Sequence, residues 1–283
     1  MLIFLLPILL AKTALRSQIS SLHIPRSIKG LKGLTALFYN EHGFALMRKI
    51  FFIFYLPLLM SASSSKTFLM PGEKLMFEAH YGFINLGTLI LEITDTATIA
   101  GKKCYLLSSF LNSHPDMRFI FSINDTLNTM TTVDGLLPVS YEKRIHEGKY
   151  SAHQKFQFCQ ESLYVLTAGS KINITHPVRD LLSFWYYLRL VPLVLKDTLI
   201  LWIFERNEAH RIECLIQKKE VIKTPLGKFS TIRVTPRTAG KGIFGAGGSM
   251  DIWYTDDQNR LPVQIRTKLK FGTVNFKLKE VRN

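Results

Sequence analysis

Apolar and polar residues alternate with a period of two over most of the chain beyond residue 66, which is typical of half-buried β-strands. The clearest run lies near the C-terminus, where Val263 and Ile265 are separated by polar residues and the alternation resumes beyond Gly272. Two such runs around a glycine predict an antiparallel hairpin. The polar positions of this hairpin put five cations on one outer face: Arg266, Lys268, Lys270, Lys277 and Lys279.

The same alternation predicts strands along the rest of this region, separated by short clusters of turn residues. The predicted strands are 74–81, 85–94, 103–111, two runs that end at 133 and begin at 136, 150–158, 199–205, 211–218, 229–235 and 250–255. The turns between them include Asp134-Gly135, Glu147-Gly148 and Pro225-Leu226-Gly227. Many short strands at this spacing are typical of an all-β meander, a barrel or an opened barrel.

One segment, 177–191, departs from the β pattern. Its apolar residues fall at helical spacing, namely Leu181, Phe184, Trp185 and Leu188. Pro177 suits the first turn of a helix and Pro192 suits its end. The sequence therefore predicts a mainly β fold: a curved antiparallel sheet or (half-)barrel with one central aromatic helix.

The aromatic residues of this helix exceed what one buried stripe requires. Either they only fill the core, or part of their face borders a cavity for an acyl chain or another apolar ligand, with a few polar groups at its margin. The candidate cavity residues are Phe184, Trp185, Tyr186, Tyr187 and Leu188, with Arg179, Asp180 and Arg189 as polar groups.

The region before residue 66 has a different character. Arg48 and Lys49 precede an apolar run at 50–60, and small residues fill 61–65. This is the layout of a secretory signal peptide, and the run is much shorter than the roughly 20 apolar residues of a transmembrane helix. A buried helix or an interfacial anchor is the alternative. We expect an over-called N-terminal extension at 1–46, a signal peptide at 47–65 and one β-rich domain at 66–283, in a periplasmic or secreted protein that is not integral to a membrane.

Charge and cysteines add little that is specific. The formal net charge of +15 draws an exported protein to anionic surfaces such as lipid head groups or acidic glycans, and the cationic hairpin is the candidate surface. We expect no nucleic-acid partner. Cys104, Cys159 and Cys214 lack a C-x-x-C spacing, so we expect three buried free thiols rather than a metal or redox site.

Three motifs invite a chemical interpretation, and each has a plainer one. The glycines at 240–245 spell G-x-G-x-x-G, but a β run follows where a dinucleotide site needs a helix, so a hairpin loop is favoured. The Asp256-Asp257 loop lacks the spacing of an EF-hand and fits a tight turn. Glu142 and Glu147 lie among cations, which favours a salt-bridged strand face over an acid–base pair. We predict no catalytic residue, no metal site and no cofactor.

Several short motifs, weak singly but specific in their order, resemble one bacterial family. They are Tyr81-Gly82 with Asn85-Leu86-Gly87, Gly135-Leu136 with Pro138, Tyr141-Glu142-Lys143, Asp180 with Tyr186-Tyr187-Leu188-Arg189, Lys223-Thr224-Pro225-Leu226-Gly227 with Phe229, Pro236-Arg237, Trp253-Tyr254-Thr255-Asp256-Asp257 and Arg260-Leu261-Pro262-Val263. Over nearly all of residues 72–281 the chain is similar to the domain-of-unknown-function family 3108. The resemblance implies an exported β-rich protein without an established activity, similar in general shape to the half-barrels of periplasmic lipoprotein carriers such as LolA and LolB.

Together these features lead us to expect a non-enzymatic protein of the cell envelope that binds an amphipathic ligand: a lipid, a lipoprotein tail or an acidic glycan. A structural or interaction module of the envelope without a ligand cavity is the main alternative. An uncharacterised enzyme comes third, because no catalytic set is visible in the sequence.

Overall fold

The computed structural model describes residues 69–238, 249–269 and 272–283. The predicted extension at 1–46, the predicted signal peptide at 47–65, the glycine-rich loop at 240–245 and Lys270 lie outside the described residues. Within them the strands are β1 (Lys74–Tyr81), β2 (Ile84–Ile99), β3 (Lys102–Ser113), β4 (Asn124–Thr132), β5 (Pro138–Glu147), β6 (Tyr150–Cys159), β7 (Tyr164–Thr167), β8 (Ser170–Asn173), β9 (Thr198–Glu205), β10 (Glu208–Thr224), β11 (Gly227–Thr238), β12 (Ser249–Thr255), β13 (Pro262–Leu269) and β14 (Gly272–Arg282). One α-helix, α1 (Leu181–Leu190), stands between β8 and β9.

All of these strands belong to one antiparallel sheet. Its hydrogen-bonding order is β8-β7-β6-β5-β4-β3-β2-β1-β14-β13-β12-β11-β10-β9. Strands that are adjacent in sequence pair with each other, except β8 and β9, and β1 pairs with β14 and so joins the two halves of the meander. The terminal strands β8 and β9 do not pair with each other, and the sheet is open.

The sheet curves far enough to bring its two ends together. The ring of Phe204, on terminal strand β9, lies 5.5 Å from the ring of Phe156 and 5.7 Å from that of Phe158, both on β6. The Nζ atom of Lys143, on β5, lies 2.5 Å from Oε1 of Glu205, also on β9. These contacts between distant strands confirm the predicted fold class, a curved sheet or half-barrel with one helix.

The inner face of the sheet forms the hydrophobic core. On β1, Leu75, Phe77 and Ala79 are buried, whereas Met76 and Glu78 between them are half-buried. This is the period-two pattern that the sequence predicts, and each such large apolar side chain stabilises the fold by about 1.5–3 kcal/mol. Helix α1 packs against β3, β4 and β9 of this face.

The helix begins later than the sequence pattern predicts. Pro177 lies outside it, because the backbone between Pro177 and the helix pairs with the edge of β9. The N–H of Arg179 donates to the carbonyl of Trp202 (2.9 Å), and the carbonyl of Arg179 accepts from the N–H of Phe204 (2.8 Å). With Arg179 held in a strand-like bridge, helical dihedrals start only beyond Asp180, which is the N-cap.

The helix ends as predicted, just before a proline. Leu190 is its last residue, and Val191 leaves the helix in an extended conformation with ψ of 150°. Pro192 follows directly, and a residue that precedes proline is disfavoured in the helical region. Among the described residues, no helix has both the length and the hydrophobicity needed to cross a membrane.

Candidate functional site

Helix α1 lies at the centre of the candidate site, and most of its side chains are buried. The buried residues are Leu181, Leu182, Ser183, Phe184, Trp185, Tyr186, Leu188 and Arg189. Tyr187 and Leu190 are half-buried. The structure thus brings the predicted aromatic residues into the interior of the half-barrel. Binding of an apolar ligand by part of this aromatic face stays a prediction.

Asp180, one of the three predicted polar groups, is fully used by the fold. Its Oδ1 accepts from the N–H groups of Leu182 (2.7 Å) and Ser183 (3.0 Å). Its Oδ2 accepts from the hydroxyls of Thr129 on β4 (2.8 Å) and Ser183 (2.9 Å). Burial raises the pKa of Asp180, and these hydrogen bonds oppose the rise. The side chain therefore caps the helix and fastens it to the sheet.

Arg189, at the other end of the helix, is likewise held within the protein. Its guanidinium binds the Glu73 carboxylate in a two-pronged arrangement, with Nη1–Oε1 at 2.5 Å and Nη2–Oε2 at 2.8 Å. Its Nε donates to the carbonyl of Asn259, in the loop between β12 and β13. Arg189 thus links α1 to the chain before β1.

Arg179 differs from these two residues, because its guanidinium forms no ion pair among the described residues, although the carboxylate of the adjacent Asp180 acts on it at longer range. The side chain is nine-tenths buried, and its guanidinium carbon lies 3.5 Å from the centroid of the Tyr187 ring. Nη2 donates to the carbonyl of Gly135 at 2.7 Å, whereas Nε has no hydrogen-bond partner. Among the described residues, no carboxylate lies within ion-pairing distance of Arg179. Burial lowers the pKa of this guanidinium, as expected for a cation removed from water.

Three buried aromatic side chains, two on α1 and one on β5, also carry unpaired polar atoms. They are the Nε1 of Trp185 and the hydroxyls of Tyr186 and Tyr141. Burial raises the pKa of both tyrosines, so their hydroxyls are neutral and able to donate. A buried polar group without a partner costs about 1–3 kcal/mol, which makes these atoms candidates to bind a polar group of a ligand.

The salt-bridged face predicted on β5 exists, but two of its expected members point the other way. Glu142 lies on the outer face, with its carboxylate within 4.0 Å of side-chain nitrogens of Arg144, His153 and Lys155. Lys143 and Glu147 point inward and are buried. Adjacent strand residues face opposite sides of a sheet, so Glu142 and Lys143 belong to different faces.

Glu147 takes part in a buried carboxyl pair that the sequence analysis misses. It lies beside Asp125, and one carboxyl oxygen of each has no hydrogen-bond partner. Burial and the neighbouring Asp125 raise the pKa of Glu147 to about 7, and burial raises the pKa of Asp125. The other oxygen of Asp125 accepts from the N–H of His146 at 2.6 Å. The two carboxyl groups of Asp125 and Glu147 therefore favour holding one proton between them over both being ionised.

A shallow groove on the outer face of β4, β5 and β6 contains a serine–histidine contact. Ser151 Oγ lies 2.9 Å from Nδ1 of His146, and both residues are exposed. Among the described residues, no carboxylate orients this imidazole. The contact therefore lacks the third group that positions the base of a serine nucleophile.

The predicted cationic hairpin is formed by β13 and β14. Arg266, Lys268, Lys277 and Lys279 share its outer face, opposite inward residues such as Ile265. The Lys279 ammonium pairs with Glu78 at 2.7 Å, and the Arg266 guanidinium lies over the Trp253 ring at 4.7 Å. Neither Lys268 nor Lys277 has a carboxylate within ion-pairing distance among the described residues. Binding of an anionic surface here stays a prediction.

The cysteines and the aspartate loop are placed largely as the sequence indicates. All three cysteines are free; Cys104 and Cys214 are buried, but Cys159, at the end of β6, is only half-buried, which corrects the prediction of three buried thiols. Asp257 Oδ1 accepts from Thr255, Asn259 and Arg260 in a tight turn. Among the described residues, no cluster of three or more histidine, cysteine or acidic side chains is arranged to hold a metal ion.

Several solved protein structures are similar to this one. The beta-barrel-like protein of the domain of unknown function DUF1849 from Brucella abortus matches with a TM-score of 0.54 and 10% identity, covering 75% of this chain and 98% of the other. The hypothetical protein CT021 from Chlamydia trachomatis matches with a TM-score of 0.36 and 6% identity, covering 76% of this chain and 88% of the other. A protein with a YmcC-like fold from Bacteroides fragilis matches with a TM-score of 0.32 and 11% identity, covering 77% and 99%. Of these three, only the Brucella protein has a TM-score above 0.5, and at 10% identity its similarity concerns the fold alone.

The sequence comparison agrees with the motif resemblance. No curated protein matches the sequence significantly. The model of the family described as "Protein of unknown function (DUF3108)" matches residues 76–279, which is most of the chain and includes α1 and the strands around it. The chain therefore belongs to the DUF3108 family.

Proposed function

We propose that this protein is an exported envelope protein that binds a lipid with an anionic head group inside the half-barrel. In this proposal the acyl chain lies against the aromatic side chains of α1. The head group binds Arg179 at the open edge of the sheet, beside Tyr187.

The observation that carries the proposal is the buried guanidinium of Arg179, which forms no ion pair among the described residues. The guanidinium is nine-tenths buried, but its protein contacts are a carbonyl and an aromatic ring. Removing a cation from water costs several kcal/mol unless an anion and hydrogen bonds compensate. A carboxylate or phosphate would supply both, and the free Nε adds a donor for it.

The buried aromatic side chains of α1 suit the remainder of an amphipathic molecule. Trp185 and Tyr186 contribute buried apolar surface together with unpaired donor atoms, a combination common in ligand sites. Asp180 and Arg189, which the sequence also suggested as polar ligand groups, are engaged by Thr129 and Glu73. The proposal therefore assigns head-group binding to Arg179 alone among the three.

Export is the second part of the proposal and rests on the sequence. The cationic residues Arg48 and Lys49, the apolar run at 50–60 and the small residues at 61–65 support secretion. The β-rich fold of the chain is compatible with that location, but a fold does not determine function.

The proposal is tested by titrating delipidated protein with a fluorescent long-chain fatty acid. Saturable binding is expected. Arg179→Gln should weaken it about 10- to 100-fold, since a hydrogen bond to a charged group contributes about 1.5–3 kcal/mol. The affinity of Arg179→Lys should lie between those of the wild type and Arg179→Gln, because lysine keeps the positive charge but cannot make the two parallel hydrogen bonds of a guanidinium. Arg144→Gln is the matched control: it removes one positive charge from the outer face and should leave affinity unchanged.

The same titration distinguishes this proposal from a second candidate function, that of a structural module of the envelope. That candidate is favoured by the dense packing of α1, in which Phe184 and Leu188 are fully buried. A protein that unfolds normally and binds no fatty acid or anionic phospholipid would support it. Equal affinities of the wild type and Arg179→Gln would remove the head-group assignment.

A further inference from the structure

One end of the half-barrel displays exposed apolar side chains on two neighbouring turns and on the strand residue that follows a third turn. The turns that follow β1, β3 and β5 lie at this end, because all three strands run in the same direction in the antiparallel meander. The side chains are Phe83 (91% exposed), Phe119 (84%), Ile120 (54%) and Tyr150 (47%). We call this set the apolar rim.

Hydrogen bonds between the turns hold the apolar rim together. The N–H of His114, at the start of the β3–β4 loop, donates to the carbonyl of Leu86 on β2 (2.9 Å). The N–H of Gly148, in the β5–β6 turn, donates to the carbonyl of Ser122 at the end of the same loop (2.8 Å). The β3–β4 loop is therefore fastened to both neighbouring turns.

The part of the loop that carries Phe119 and Ile120 has a defined conformation. A 3₁₀ turn spans Pro115–Met117, and the carbonyl of Met117 accepts from the N–H groups of Ile120 (3.1 Å) and Phe121 (2.8 Å). Ser113 Oγ donates to the carbonyl of Phe121 at 2.9 Å. These hydrogen bonds fix the backbone at the tip of the loop, where the side chains of Phe119 and Ile120 are exposed to solvent. Together with the other exposed apolar side chains at this end, they make the apolar rim a candidate interaction surface.

Charges beside the apolar rim indicate the partner. Arg118 precedes Phe119, and Lys149 precedes Tyr150; both cations are exposed and, among the described residues, neither forms an ion pair. The one acidic side chain of the loop, Asp116, lies 3.5 Å from His114. Apolar and aromatic side chains flanked by cations are typical of segments that enter the head-group region of an anionic bilayer.

We propose that the apolar rim docks on the surface of an anionic lipid bilayer. The geometry favours a bilayer over a protein partner, because separate protruding side chains enter a fluid interface without matching pockets, whereas protein interfaces are shape-complementary. Phe83, Phe119 and Ile120 enter the acyl boundary, Tyr150 lies at the head groups, and the two cations bind lipid phosphates. This surface shares no residue with the interior site or with the cationic face of β13 and β14.

Vesicle sedimentation tests the proposal with the full chain as purified. Wild-type protein should bind phosphatidylcholine vesicles that contain phosphatidylglycerol, and pure phosphatidylcholine vesicles more weakly. The double variant Phe83→Ser and Phe119→Ser should lower the partition coefficient at least about tenfold, because burying one phenylalanine already contributes a factor of that order. Arg118→Gln with Lys149→Gln should reduce the preference for the anionic lipid, at about fivefold per cation.

Leu226→Ser is the matched control. Leu226 is also exposed (45%), but it lies in the β10–β11 turn at the opposite end of the sheet, so its replacement should not affect vesicle binding. Circular dichroism should show that all variants fold, since the replaced side chains are exposed. The proposal is overturned if the wild type does not bind anionic vesicles, or if the Phe83/Phe119 variant binds as tightly as the wild type. It is also overturned if the same substitutions only dissociate a dimer, because the rim would then bind a second copy of the chain.

Discussion

Replacement of Arg189 by methionine should destabilise the protein strongly. The side chains of Arg189 and Glu73 are only 2% and 8% exposed, and two N–H···O bonds join them. Methionine preserves much of the apolar volume but leaves the Glu73 carboxylate buried without its cation. Breaking a buried pair in this way costs about 3–5 kcal/mol, a large part of the 5–15 kcal/mol that stabilises a typical domain.

A double-mutant cycle separates the pair from its surroundings. Glu73→Leu combined with Arg189→Met removes both charges, so the double variant should be more stable than Arg189→Met alone. Its loss should fall well short of the sum of the single losses, since replacing a whole buried pair by apolar residues is often near neutral. Urea denaturation followed by circular dichroism gives the four free energies of unfolding.

Two outcomes would refute this reasoning. A loss below about 1 kcal/mol for Arg189→Met, the size expected of an exposed pair, would mean that the ion pair does not support the fold. Additive losses in the cycle would mean that Arg189 and Glu73 act independently. If Arg189→Met instead weakened lipid binding while unfolding normally, Arg189 would be a ligand group, as the sequence alone suggests.

Three further predictions follow from other parts of the chain. The pKa of Glu147, about 7 in the folded protein, lies above its usual value, so folding takes up a proton: stability should fall as pH rises from about 4.5 to 7, and Glu147→Gln, measured by denaturation from pH 5 to 8, should remove that part of the dependence. An unchanged profile would contradict the buried carboxyl pair. Charge reversal at Lys268 and Lys277 should weaken binding to anionic glycans or vesicles at low salt without lowering the melting temperature; equal binding would leave the cationic face a role in solubility only. Mass spectrometry of protein secreted by its native host should find the mature N-terminus between residues 61 and 66, and a chain that begins at Met1 would exclude the signal peptide.

The strands were predictable where one face of the sheet is apolar and the other polar, as in β13 with Val263 and Ile265 directed inward. The strands β7 and β8 were missed because each has only four residues. In β7, Val165 is the only buried residue, so no alternation develops. The pairing of β1 with β14, which joins the two halves, has no signal in the local pattern.

The helix was predictable in type and end but not in its start. Pro177 is compatible with a first helical turn, but the hydrogen bonds of Arg179 to β9 depend on a contact distant in sequence. Asp180 itself was a local signal for the start of the helix. An aspartate at the N-cap accepts hydrogen bonds from the backbone N–H groups two and three residues later, here those of Leu182 and Ser183. That signal favours the observed start at Leu181.

Much of the candidate site depends on interior charges that the sequence could not assign. Lys143 and Arg144 are adjacent and appear equivalent in the sequence, but strand geometry sends Lys143 inward to Glu205 and leaves Arg144 outside. Alternation could have separated the two faces once β5 was placed. The unpaired Nε of Arg179 was not foreseeable, because it depends on which carboxylates lie near in space.

The most direct test of the central claim asks whether a bound lipid touches α1. Trp202 and Trp253 are replaced by phenylalanine, so that Trp185 is the only tryptophan, and the protein is titrated with a fatty acid brominated on its acyl chain, which quenches tryptophan on contact. The account predicts saturable quenching of Trp185, shifted to about 10- to 100-fold higher concentration by Arg179→Gln. Trp185 emission that stays constant, in a protein whose unfolding transition shows it to be folded, would contradict a lipid site in the half-barrel.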